Sequence, residues 1–134
     1  MESQAYRKQL AEVLADGRRD DALTLFMLLV GMPPEHLDAV RQHPLWPMWE
    51  AVAPTLAYDA AIMGEDASVP NEEAASVTVP ALVMDGGASY PFMHVTALAL
   101  AKAMPHAQHR TLEGQTHEVA PQVLAPVLVE FFKG

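Results

Sequence analysis

Residues Val77-Thr78-Val79-Pro80-Ala81-Leu82-Val83-Met84 are apolar or β-branched almost throughout. A strand with one wet face alternates polar and apolar residues. A run that is apolar on both faces belongs inside a parallel sheet covered on each side. Asp85-Gly86-Gly87 ends the run. The residues after it keep the same logic. Pro91 to Met104 reads as a helix and Gln108 to Leu112 as a second short strand. Pro121 to Lys133 reads as an amphipathic helix carrying Val123, Leu124, Val127, Leu128 and Phe131, with Pro126 inside it. Strand–helix–strand–helix is an α/β arrangement, with parallel strands and a right-handed crossover.

The first half of the chain has a helical period instead. Tyr6, Leu10, Val13 and Leu14 share one helix face that ends near Gly17. Asp20 or Asp21 is positioned to cap a second helix, whose apolar positions are Ala22, Leu25, Phe26 and Leu29. Pro33 and Pro34 start a short helix with Leu37 and Val40 on its buried side. Another starts around Trp46 and Pro47, and Pro54 divides it from a helix running from Thr55 to about Met63. Trp46, Met48, Trp49, Phe26 and Met27 make this half aromatic and apolar. The expected organisation is a helical segment over 1–64, a polar linker over 65–76 and the α/β part over 77–134.

Composition narrows the function classes. The 134 residues are 51% hydrophobic and 19% charged, which is globular. No cysteine is present, so disulfides, thiolate metal sites and a cysteine nucleophile are excluded. A formal net charge of −9 opposes nucleic-acid binding and anionic membrane surfaces. Ala22 to Met32 is too short to span a bilayer, and the first residues do not read as a secretory signal. A cytoplasmic protein without a membrane or nucleic-acid partner is the expectation.

The chemistry concentrates at Leu112-Glu113-Gly114-Gln115-Thr116-His117. This stretch reads as the end of a strand, a glycine turn and a histidine. Parallel sheets bind ligands outside the carboxyl ends of their strands, so His117 is a candidate general base. Asp85, at the tip of the adjacent strand, could orient it, since neighbouring strands lie about 4.8 Å apart. Ser89 lies between strand and helix in Gly87-Ala88-Ser89-Tyr90-Pro91, as a partial mimic of a nucleophile turn or as a helix N-cap. His94 follows in the first turn of the next helix and could approach the site. His36, His43, His106 and His109 read as solvated surface. No spacing suggests a metal site, and no cofactor is expected.

These residues resemble the C-terminal half of an α/β-hydrolase. Residues 1–64 are similar to the helical cap segment of small bacterial members, most of all at Val52-Ala53-Pro54-Thr55-Leu56-Ala57-Tyr58-Asp59. Leu82-Val83-Met84-Asp85-Gly86-Gly87, Leu112 to His117 and Leu124-Ala125-Pro126-Val127-Leu128-Val129-Glu130-Phe131-Phe132 are similar to the last two strands and helices of the core. The resemblance implies an ester or related acyl hydrolase in which His117 is the base. It places Ser89 at the position where the family carries its acid. Asp85 lies one turn early, and Asp59 is a further carboxylate available from the cap side. The sequence contains no Gly-x-Ser-x-Gly turn and no glycine-rich oxyanion loop. The family's nucleophile-bearing half would precede residue 1.

A strand apolar on both faces needs a neighbour on each edge, and an unpaired edge is a template for association. A homodimer joined through the Val79–Met84 edge, or by helix exchange, is therefore expected. A separate N-terminal hydrolase half is the alternative partner. The nucleophile would then come from that partner, or from water activated by His117. A non-enzymatic reading stands beside this one, in which the chain is a small-molecule-binding or assembly module that kept the cap. A truncated gene product stabilised by self-association is a third.

Overall fold

A computed structural model of the chain describes residues 3–134. It divides into two compact units, Met1–Ser68 and Val69–Gly134.

The first unit is helical. Helix α1 (Ser3–Ala15) buries Tyr6, Leu10 and Val13, three positions on one face. The turn at Gly17 leads into α2 (Arg19–Leu29), which buries Ala22 and Leu23. A 3-10 turn at Pro34–His36 opens α3 (Leu37–Arg41). Helix α4 (Trp46–Val52) and α5 (Leu56–Ile62) are separated by a 3-10 turn at Ala53–Thr55, where Pro54 interrupts the ladder as expected. Trp46, Ala53 and Leu56 join the residues of α1 and α2 in one core.

The expected cap on α2 is replaced by something with longer reach. Arg18 takes the N-cap position and supplies no side-chain cap. Asp20 instead accepts hydrogen bonds from the Arg41 guanidinium at 2.9 Å and the Trp46 indole at 3.2 Å. One carboxylate in the first turn of α2 thus ties α3 and α4 to it. Position in the first turn also suits a negative charge, because the helix N-terminus is partly positive.

Tyr6 gives this unit an alkaline limit. Burial pushes its phenol above the ordinary value, and the charge of Asp59 pushes it the same way. A group whose folded pKa is raised stabilises fully below its unfolded value, ~10 for tyrosine, and loses that contribution as pH rises through the folded value. Thermal melts followed by circular dichroism should therefore show wild type losing stability relative to Tyr6→Phe above about pH 10. Parallel curves for the two proteins would contradict this origin.

The second unit starts with a short helix, α6 (Asn71–Ala75), inside the stretch read as a polar linker. Ala74 is buried there, and Glu72 and Glu73 occupy its first turn. The first strand, β1 (Ala81–Gly86), begins and ends later than the expected run Val77–Met84. Val79 lies outside it, 64% exposed. Pro80 cannot donate to a ladder, which moves the start inward. Asp85 and Gly86 are ladder residues and not the turn itself. Helix α7 (Pro91–Ala103) leads to β2 (Ala107–Leu112), and α8 (Pro121–Lys133) continues through Pro126.

The two strands are parallel, with Ala81 opposite Ala107 and Asp85 opposite Thr111. Among the described residues they form a two-stranded sheet, so each strand has one unpaired edge. The edge expected at Val79–Met84 accordingly lies at Ala81–Gly86. The apolar residues buried in this unit are Ala74, Ala97 and Leu112, of which only Leu112 is large. Val95, Leu98, Val129 and Phe132 are exposed. The unit therefore buries far less than its apolar content allows.

Candidate functional site

Two loops at the carboxyl ends of β1 and β2 interlock. Gly87 N–H donates to the Leu112 carbonyl at 2.9 Å, and Ala88 N–H donates to the Gln115 carbonyl at 2.8 Å. Gly86 is enclosed by this clasp. A Cβ on it would come within 2.5 Å of the Thr116 carbonyl oxygen and closer still to that of Gln115. Only glycine permits that approach. Gly114 turns the chain with φ of +71°, and Gln115 N–H closes the turn on Leu112 at 3.2 Å.

Gln115 fixes the other side as well. Its side-chain oxygen accepts from Ala120 N–H at 3.0 Å, just before α8 begins. The Thr116 hydroxyl bridges to the Glu118 backbone. His117 thus stands on a loop anchored at both ends, and it is exposed to solvent. Among the described residues no hydrogen bond reaches its ring.

Asp85 faces elsewhere. Its side chain is 2% exposed, yet both carboxylate oxygens are occupied. His94 Nδ1 lies 2.8 Å from Oδ2, His109 Nε2 lies 2.6 Å from Oδ1, and the Thr111 hydroxyl donates to Oδ1 at 3.1 Å. The two imidazoles meet edge to face, 5.6 Å apart. Burial pushes the Asp85 carboxyl up. The hydrogen bonds from His94, His109 and Thr111 and the charge on His94 prevail and hold it below the usual carboxylate range. Asp85 is therefore an anion at neutral pH.

Ser89 sits in the turn before α7, its N–H bonded to the Gly86 carbonyl at 3.0 Å. It does not cap the helix. Tyr90 holds the N-cap position and α7 has no side-chain cap. The Ser89 hydroxyl is buried without a hydrogen-bond partner among the described residues, which is uncommon for a buried polar atom.

The structure brings Asp85 together with His94 and His109 and leaves His117 outside that group. His109 corrects the surface reading, since only 19% of its side chain is exposed. The signal was a period of two. In the parallel register Thr111 lies opposite Asp85, and His109, two residues earlier, shares its face.

Comparison with solved structures decides the family. An α/β hydrolase from Sphaerobacter thermophilus is 52% identical over 95% of this chain and superposes with a TM-score of 0.83. The chain belongs to the α/β-hydrolase superfamily. It spans 49% of the length of that hydrolase. No protein-family profile and no curated protein sequence matches it. Helical segments with two parallel strands are what a fragment of an α/β-hydrolase provides. Among the described residues, no helix is long and apolar enough to cross a membrane.

Proposed function

We propose that the chain supplies the histidine-bearing half of an ester or acyl hydrolase site, with His117 as general base. His117 takes the proton of an attacking hydroxyl and returns it to the leaving alcohol. The observation that carries this reading is the interlocked pair of loops. Gly86 is held to glycine by the loop that presents His117 at the strand end.

The 134 residues contain no Gly-x-Ser-x-Gly turn, so the hydroxyl lies outside them, and a partner chain is one source of it. The feature that favours a partner seated beside β1 is the unpaired strand edge at Ala81–Gly86. A separate N-terminal hydrolase half or a second copy of this chain would cover the edge. Only the former brings a nucleophile. Asp85 could orient His117 only by exchanging a contact with His94 or His109.

The test is hydrolysis of a short-chain chromogenic ester with and without His117→Ala. Activity that survives the substitution rules out His117 as the base. Light scattering tests the association. A mass above that of one chain at micromolar concentration is expected, and a clean monomer contradicts pairing of the chain with itself.

A non-catalytic binding or assembly module is the second reading. Serine at position 89, where the family carries its acid, favours it. That module would associate as predicted and leave the ester intact.

A further inference from the structure

We propose that Asp85, His94 and His109 form a binding site for a divalent transition metal of the zinc type, separate from His117. Their ligand atoms all lie within 4.8 Å of one another. Two imidazoles and one carboxylate are the donor set that zinc and its neighbours prefer, whereas magnesium and calcium prefer oxygen alone.

The three ligands come from three elements, which fixes their geometry. Asp85 stands near the end of β1, His109 on β2 and His94 on α7. The carboxylate is an anion and is steadied by the Thr111 hydroxyl at 3.1 Å, a supporting contact of the kind that orients metal ligands. His94 offers Nδ1 and His109 offers Nε2, both already aimed at the carboxylate.

The present contacts of 2.8 and 2.6 Å hold a proton between each nitrogen and oxygen. A metal with bonds of about 2.0–2.1 Å at tetrahedral angles sets neighbouring ligand atoms ~3.4 Å apart. The two contacts therefore open by about 0.6–0.8 Å as the ion takes the protons' place. His94 can make that movement, because 49% of its side chain is exposed. The same exposure gives an ion a route in from solvent and leaves a coordination position for water. His109 and Asp85, both far more buried, form the fixed side.

The full chain, freed of metal with chelator, is titrated with Zn2+ by calorimetry and with Co2+ by visible absorption. One ion per chain and the intense visible bands of tetrahedral Co2+ are expected. His94→Ala and His109→Ala should each weaken binding by more than the roughly 10–100-fold that loss of a supporting contact costs. His106→Ala, which removes an exposed histidine outside the cluster, should bind like wild type. Zn2+ added to wild type should also shift the ring resonances of His94 and His109 selectively, a readout that needs no variant to fold. No uptake at about 100 µM ion, a value in the range where weak surface sites fill, would overturn the proposal. So would uptake insensitive to both substitutions, or ring shifts confined to His36, His43, His106 or His117.

Discussion

His117→Ala is expected to lower ester hydrolysis by the assembled enzyme roughly 10²–10⁴-fold, the usual contribution of a general base, with little change in substrate binding. The ring is exposed and makes no hydrogen bond among the described residues. Its removal should leave the melting temperature nearly unchanged. That combination separates chemistry from folding. Asp85→Asn supplies the contrast. An aspartate that orients the base costs about 10⁴-fold when replaced by asparagine, as in the serine proteases. Here both Asp85 oxygens are committed to His94, His109 and Thr111. Asp85→Asn should therefore keep most of the activity while lowering stability. A fall as deep as that of His117→Ala would instead make Asp85 the orienting acid.

Gly86→Ala carries the second large effect. Its new methyl group would meet the carbonyl oxygens of Gln115 and Thr116, which are backbone atoms. They can retreat only if the whole loop moves and gives up the Ala88–Gln115 hydrogen bond. Overpacking of this kind costs ~1–3 kcal/mol, and the rigid neighbours place the site at the upper end. The loop that moves carries His117. A misplacement of about 1 Å is enough to cost 10²-fold in rate. Gly114→Ala is the control. It has φ of +71° but open space around its Cβ. Only conformational strain applies there, about 1–2 kcal/mol. Denaturant unfolding and ester kinetics on the two variants should rank Gly86→Ala as the more damaging. The reverse order would remove the steric account of the clasp.

Much of the fold was legible because its signals are local. Helix α8 matches its expected span of Pro121 to Lys133, since proline opens it and its apolar spacing persists to the end. The parallel pairing of β1 and β2 follows from the intervening helix. Boundaries were less legible. Pro80 shifts the start of β1, and the ladder extends through Asp85 and Gly86, which read as turn residues. The Asn71–Ala75 helix was hidden by polar residues that face water around one buried alanine.

The site was legible in part for the same reason. His117 announces itself by following a strand end and a glycine. The partners of Asp85 do not, because they depend on strand register and on the placement of α7. His109 lies 24 residues from Asp85 and His94 lies 9 residues away, so no short motif joins them. Gly86 looked like an ordinary turn glycine. Its role emerges only when the carbonyls of a loop 29 and 30 residues further on pack against it.

On the proposed reading His117 is the base of a hydrolase site whose nucleophile lies outside these 134 residues. The most direct measurement mixes the purified chain with the complementary N-terminal half of the Sphaerobacter thermophilus hydrolase and follows short-chain ester hydrolysis. Activity above that of either component, lost with His117→Ala, is the predicted result. If that N-terminal half regains activity with its own C-terminal half but not with this chain, or if the His117→Ala mixture remains as active as wild type, the claim is contradicted.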